Sequence, residues 1–458
     1  MKVLAAFLCL LLAAAFSLNA CAAETNSIIW HQATDRVDAD VHALNLPNLL
    51  EQITAQTGWR VYVEPGTTYR ASTKFRNLPP GDALRMLFGD LNFALVPQTN
   101  AAPHLYVFTT RMENATRLVR TSKRVVPKHV PNELLLRLKP GANIDAIAKA
   151  IGAKVIGRND KLGLYRLQFS DAAATDAALD QLKANPDVED VDYNYVYDPP
   201  PTPQPLDNAP IGPVSLTLDP STPNDPCSPV VGLIDTPVQS LGSKLDPFML
   251  KPISVAGDTT ACSSDITHGT AMAQTVLRGV SQQNNGTGSN GSKVRILPVN
   301  VYDSCETTTT WNVALGVQAA VDNGATVLNM SLGGATDSAV LDDIIRQALG
   351  RGIMVFAAAG NQPGTAPTYP AAIPGVNAVT ALGGQGQLAS YANYGSFVDM
   401  ALPGASVVYY GNQAYVVQGT SASTAYATGV AAGVKGINCM PWSQIQSVMQ
   451  TKFPVPQH

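Results

Sequence analysis

Apolar residues recur along this chain with different periods, and the change of period divides it into regions. Behind Lys2 an unbroken apolar run extends from Val3 to Phe16 and gives way to Ser17-Leu18-Asn19-Ala20-Cys21-Ala22-Ala23. The run is shorter than the roughly 20 residues a helix needs to cross hydrocarbon. It fits the apolar stretch of a secretory signal peptide, assigned to residues 1–22. Further on, Leu46, Leu49, Leu50 and Ile53 fall at i, i+3, i+4 and i+7, one face of a helix. Trp59 to Val63 alternates as a strand and stops at Pro65-Gly66. Ala83, Leu84 and Leu87 mark a second helix, and strand-like runs follow at Phe93–Val96 and Leu105–Phe108. Residues 23–112 therefore read as a small α+β domain, and the polar, basic stretch 113–130 as a linker.

Residues 131–195 form a second small unit. It reads as strand Glu133–Leu138, helix Ile144–Ile151, strands Lys154–Ile156 and Leu164–Phe169, helix Ala172–Lys183 and strand Val188–Val191. This β-α-β-β-α-β order suits a ferredoxin-like fold. Residues 196–226, with Pro199-Pro200-Pro201-Thr202-Pro203-Gln204-Pro205, read as an extended, semi-rigid linker. From 227 to 458, short apolar runs (Val230–Ile234, Arg295–Val301, Val327–Met330, Ile353–Ala359) alternate with longer helical stretches. That alternation predicts an α/β domain, a parallel sheet flanked by helices, preceded by two small α+β domains.

Composition narrows the function. Of 458 residues, 45% are apolar and 14% charged, enough for several cores and incompatible with wholesale disorder. With 30 basic against 34 acidic residues and no long basic run, nucleic acid is not the expected partner. An exported chain loses Cys9 with its signal. Cys227, Cys262, Cys305 and Cys439 remain in the C-terminal half, where an oxidising compartment favours two disulfides among three pairings. Their spacing matches no zinc site.

The chemistry sits in the last region. Strand Val230–Ile234 runs into Asp235-Thr236, placing a carboxylate at the rim where parallel sheets build their sites. His268-Gly269-Thr270 opens a helix, Gly360-Asn361 follows an apolar strand, and Gly419-Thr420-Ser421-Ala422-Ser423 precedes Ala- and Gly-rich helical sequence. Each alone has an ordinary structural explanation: a loop-capping Asp, a turn, an N-cap. Together they place Asp, His, Asn and Ser in chain order, each at a strand end or helix start of one domain.

Those phrases, with Ser331-Leu332-Gly333 and Ala358-Ala359-Gly360-Asn361, resemble the subtilisin-like serine peptidase family over residues 227–434. The resemblance implies an endopeptidase whose nucleophile is Ser421, whose base is His268 and whose orienting carboxylate is Asp235. It makes Asn361 the oxyanion donor and assigns substrate backbone and specificity pocket to Ser331, Leu332, Gly333, Ala358, Ala359 and Gly360. Small side chains there imply a slot for medium or large hydrophobic residues. Pro237, Ala271 and Ala425 depart from the family's usual Gly, His and Pro. The chemistry needs no cofactor, and no acidic loop marks a calcium site. The resemblance also implies the disulfides Cys262–Cys305 and Cys227–Cys439. It makes residues 131–195 a propeptide that assists folding and caps the cleft, cut away within Tyr195 to Pro226, at Tyr195–Asp198 or Leu206–Ala209. The partner is then a protein or peptide substrate. Leu49 through Gly58-Trp59, with Leu78-Pro79-Pro80-Gly81-Asp82-Ala83-Leu84, resembles the short N-terminal domain of secretins and TonB-dependent receptors. That implies an envelope or secretion-machinery partner for residues 40–110. Leu18-Asn19-Ala20-Cys21 resembles a bacterial lipoprotein cleavage box, which implies a lipid anchor at Cys21, with simple removal of Cys21 as the alternative. Localisation is periplasmic, outer-membrane-associated or secreted. An inactive envelope scaffold is the competing reading.

Overall fold

The computed structural model describes residues 26–31, 34–98, 101–119, 128–206, 218, 227–257, 265–284, 292–303 and 307–456. The signal segment with Cys21, and the pair Cys262 and Cys305, lie outside them. The chain divides into two compact units, 1–121 and 122–458.

In the first unit, helix Leu46–Thr57 buries Leu46, Leu49, Leu50 and Ile53, the face marked by periodicity. Asn45 starts it by accepting from the Asn48 N–H at 2.9 Å, and Gly58 ends it in the left-handed region. Helix Pro80–Phe88 buries Ala83, Leu84, Leu87 and Phe88 in the same core. A three-stranded antiparallel sheet (Ser27–His31, Arg36–Asn45, Arg70–Leu78) and a four-stranded one (Asn92–Gln98, Ala101–Phe108, Arg60–Val63, Arg117–Val119) complete the unit. Arg117–Val119, assigned by sequence to the 113–130 linker, is thus an edge strand; three residues are too few to show a period.

The second unit begins with strands His129–Leu138, Lys154–Asn159, Leu164–Gln168 and Val188–Tyr197, and helices Ile144–Ala150 and Ala172–Lys183. The sheet order is fourth-first-third-second with every neighbour antiparallel, the ferredoxin-like arrangement. The last strand runs beyond Val191, past residue 195 and out of its own sheet. Val196 and Tyr197 pair with Thr309 and Thr308 of the following domain. Gln204 and Pro205 then pair with Val416 and Tyr415. Within 196–226, expected as an extended linker, residues 196–197 and 204–206 are therefore paired with the following domain.

Residues 227–456 build a seven-stranded parallel sheet in the order Ile253–Ser254, Arg295–Asn300, Val230–Asp235, Val327–Met330, Met354–Ala358, Asn377–Leu382, Met400–Pro403. One face packs on helices Thr310–Asp322 and Ala339–Gly350, the other on His268–Asn284, Thr420–Asn438 and Trp442–Lys452. Central strands are buried on both faces, so they read as continuous apolar runs without alternation. A hairpin, Ala405–Tyr410 with Gln413–Gln418, leads into the helix that carries Ser421.

The small ferredoxin-like domain docks on the first of these faces. Asn194 accepts from the Trp311 N–H at 3.1 Å and Asp192 from the Ala339 N–H at 3.1 Å, each at a helix N-terminus with spare donors. Lys161 reaches Asp322 at 2.5 Å, and Arg137 pairs with Asp343.

Cys227 and Cys439 are bonded, with Cα atoms 4.9 Å apart and a sequence separation of 212. The bond ties the start of the domain to the residue that ends helix Thr420–Asn438. Closing so long a loop restricts the unfolded chain, and replacing both cysteines by serine is expected to lower unfolding free energy by about 3–5 kcal/mol. Chemical denaturation of the two proteins checks this; an unchanged midpoint would refute it.

Candidate active site

Asp235 ends the strand whose two neighbours, Arg295–Asn300 and Val327–Met330, carry the chain away on opposite sides. Ligand crevices of parallel sheets open at such points. Its Oδ1 accepts the Thr236 N–H at 2.7 Å. His268, the first residue of its helix, sets Nδ1 at 2.8 Å and 3.0 Å from the two carboxylate oxygens, and both side chains are 2% exposed. A carboxylate on that side fixes the proton on Nδ1 and leaves Nε2 with its lone pair. Nε2 is buried and has no hydrogen-bond partner among the described residues. The histidine's position is set one residue on, where the Gly269 N–H donates to Thr236 Oγ1 at 2.8 Å. A Cβ at Gly269 would stand 2.2 Å from the Thr236 carbonyl.

Ser421 is the second residue of helix Thr420–Asn438. It is buried, and its hydroxyl donates to the Ser331 carbonyl at 3.1 Å while the Ser331 hydroxyl donates back to the Ser421 carbonyl at 3.1 Å. Behind this reciprocal pair, Asn329 Nδ2 donates to Ser331 Oγ at 3.0 Å and the Thr428 hydroxyl to Asn329 Oδ1 at 3.0 Å. The buried polar groups form one connected chain from the sheet to the serine.

Asn361 is held by its oxygen, which accepts from the Thr420 N–H at 2.9 Å and the Thr420 hydroxyl at 3.1 Å. A backbone N–H can only donate, so the amide's orientation is fixed and Nδ2 is left as the free donor. Gly360 before it has φ 106°, and a Cβ would meet Asn393 Nδ2 at 2.8 Å. Asn393 braces this loop: it donates its own N–H to the Gly360 carbonyl at 3.0 Å, accepts from Gln362 at 2.8 Å and donates to Thr368 at 3.1 Å. Neither Asn393 nor the clamp at Thr420 was singled out from sequence, where an isolated Asn and a cap-position Thr carry no distinguishing pattern.

A cleft of about 650 Å³ reaches Asn361, while the buried Asp235, His268 and Ser421 do not line it. Gly333, Gly334, Gly360 and Asn361 line it together with Tyr195, Val196, Tyr197 and Asp198 of the strand that leaves the small domain. Ser331, Leu332, Ala358 and Ala359 are buried and do not line it. The Tyr197 ring lies over Gly334, where a Cβ would be 3.3 Å from it, and burial pushes its hydroxyl up to about 12. Asp337, also on the wall, has its carboxyl raised by burial. No group of three or more metal-ligating side chains is assembled among the described residues.

Residues 228–455 match the subtilase family, and residues 119–194 the fervidolysin N-terminal prodomain. Thermitase of Thermoactinomyces vulgaris is 33% identical over 204 residues, 44% of this chain and 72% of thermitase. The chain belongs to the subtilase family. The thermophilic serine proteinase of Bacillus sp. strain AK1 is 29% identical over 315 residues, 66% of this chain and 78% of that protein. Crystalline fervidolysin from Fervidobacterium pennivorans, a keratinolytic enzyme related to subtilisin, superposes with a TM-score of 0.53 at 20% identity. That match covers 71% of this chain and 57% of fervidolysin. The chain is a subtilisin-like serine endopeptidase carrying a propeptide-like domain, and both family matches lie C-terminal to residue 118.

In this subtilase the helices of His268 and Ser421 cross in unusually close contact. A Cβ at Gly429 would stand 2.0 Å from the Val276 carbonyl, and one at Gly279 would stand 2.4 Å from that of Tyr426. Gly429→Ala is expected to force the helices apart, costing about 1–3 kcal/mol of stability and about 10² in turnover through misalignment. Gly433→Ala, which meets the Gln283 side chain at 3.1 Å and Val280 Cα at 3.3 Å, should be far milder. Melting and steady-state kinetics of both variants check this, and equal, small effects would refute it.

Proposed function

We propose that this subtilase is an exported, self-processing endopeptidase in which Ser421 attacks the scissile carbonyl and His268 takes its proton. The observation that carries the reading is the buried Asp235–His268 pair with an unpartnered Nε2. A buried imidazole nitrogen without a partner is costly unless a proton donor enters its range, and in this reading the Ser421 hydroxyl, on the helix packed against that of His268, turns from the Ser331 carbonyl to meet that need. The Ser421 hydroxyl leaves the Ser331 carbonyl, bonds to Nε2 and attacks; the imidazolium, stabilised by Asp235, then protonates the leaving amine. The oxyanion is held by Asn361 Nδ2 and the Ser421 N–H, at the positive end of the helix.

Peptide substrates lie extended in the cleft beside Gly333 and Gly360. Residues 131–195 act as the cap that keeps the cleft closed during export. The N-terminal unit serves as a docking module for an envelope partner.

Two variants test the assignments. Asn361→Ala should lower kcat by about 10²–10³ with KM nearly unchanged, since its donor faces charge that exists only in the transition state. An unchanged kcat would place the oxyanion elsewhere. Ser421→Ala should accumulate as one full-length, signal-cleaved chain and resist fluorophosphonate labelling. The parent should be cut within Tyr195 to Pro226 and should label. The comparison belongs in a host without extracellular peptidases, and equal processing of both chains there would refute self-maturation.

A further inference from the structure

The residues on either side of His268 are bonded to a single side chain of the loop that follows Asp235. Gln239 lies four residues past Asp235 and is half-buried. Its Oε1 accepts from the Thr267 N–H at 2.9 Å and from the Thr270 hydroxyl at 3.0 Å. Its Nε2 donates to the Asp265 carbonyl at 2.9 Å, and its own N–H donates to Thr270 Oγ1 at 2.8 Å. A backbone N–H only donates and a carbonyl only accepts, so the amide has one orientation. Residues 265 and 267 before the imidazole, and 270 after it, are thus held from one point.

Two buried hydroxyls complete the joint. Thr267 Oγ1 gives its proton to the Pro237 carbonyl at 2.6 Å and accepts from the Thr270 N–H at 3.2 Å. The Thr270 hydroxyl, 2.6 Å from Thr267 Oγ1, is left with one proton for Thr267 Oγ1 and Gln239 Oε1 together. Thr236 takes the remaining neighbour, the Gly269 N–H, at 2.8 Å. The N–H groups at the start of a helix have no partner inside it, and here the loop carrying Asp235 supplies acceptors from outside. Contact with the Ser421 helix fixes the body of the His268 helix, while Gln239 fixes its first turn against the carboxylate.

We propose that Gln239 is a positioning residue of the catalytic site, holding the His268 imidazole in register with Asp235. The proposal rests on the reading of His268 as the base. Gln239 touches neither substrate nor the reacting atoms and acts through Thr267 and Thr270.

The test compares Gln239→Met with Gln274→Met in the full chain. Gln274 lies further along the same helix and joins it to the hairpin, donating to the Tyr409 carbonyl at 2.7 Å and accepting from the Tyr409 N–H at 2.9 Å. Each substitution keeps the length of the side chain and removes the bonds of one amide, so both should lower the melting temperature. Only Gln239→Met should lower kcat, by about tenfold or more, with KM nearly unchanged and fluorophosphonate labelling slowed in proportion. Gln239→Glu keeps an oxygen that accepts from Thr267 and Thr270 and should recover most of the lost kcat. A parent that labels, beside a Gln239→Met variant with the parent's kcat, would refute the positioning role and leave the peptidase assignment standing. Equal losses of kcat in Gln239→Met and Gln274→Met would show weakened folding in place of lost register and would overturn the proposal too. So would a Gln239→Glu variant no more active than Gln239→Met. A parent that does not label would remove His268 as the base, and the role of Gln239 with it.

Discussion

Gly429 lets the helix carrying Ser421 approach the helix carrying His268 until a methyl group would stand 2.0 Å from the Val276 carbonyl. Side chains that must meet from two separate helices need their backbones fixed to within a fraction of an ångström, and interdigitated larger residues leave more latitude than backbone-on-backbone contact does. The glycines at 279 and 429 exchange the adaptable part of helix packing for direct contact. Both helices also lie on the same face of the parallel sheet, so His268 and Ser421 start at the same rim as Asp235. Each of the three groups sits at the very end of a rigid element.

The polar network behind the rim adds orientation to position. Asn329, buried in a central strand, would be a liability if left unpaired. Here it donates to Ser331 and accepts from Thr428, so the strand, the Ser331 loop and the Ser421 helix are tied together. Thr420 does the same for the opposite wall: its hydroxyl accepts from the Gly360 N–H at 3.1 Å and donates to Asn361. Ser421 and Asn361 thus share a neighbour that fixes both, without either touching the other.

How much of this was legible depended on whether a feature expresses itself locally. Helix faces such as Leu46, Leu49, Leu50 and Ile53 were, because the 3.6 period is written into consecutive residues. The parallel strands were, because burial on both faces gives unbroken apolar runs. Strand Arg70–Leu78 was not: its side chains are mostly polar and only Ala71 is fully buried, so nothing separates it from a loop. The pairing of Gln204–Pro205 with the hairpin was invisible because its partner is some 210 residues away and the segment's composition signals a linker. At the site, motif order gave Asp235, His268, Asn361 and Ser421. Asn393 and Thr420 act only through three-dimensional contacts, as does the burial that removes Ala358 and Ala359 from the cleft wall.

The strand Val188–Tyr197 joins these levels. Its backbone closes the ferredoxin-like sheet, its side chains Asp192 and Asn194 satisfy donors at two helix N-termini of the catalytic domain, and its end delivers Tyr197 and Asp198 to the cleft. Asn194 is itself held by donating to buried Glu133 at 2.8 Å, which also binds Arg166 through two 2.7 Å contacts. Asp192 brings a cost, because burial raises its carboxyl above the usual range despite the N–H groups it accepts. A carboxyl raised in the docked state takes up a proton more readily there than when freed. Its unfavourable contribution is therefore absent at low pH, grows as pH rises from the free carboxyl's range toward the docked one, and is fully present above that. The docked arrangement is held by the helix caps and opposed by the charge on Asp192, so the same side chain that orients the strand also limits how tightly it can be held once the solvent is no longer acidic.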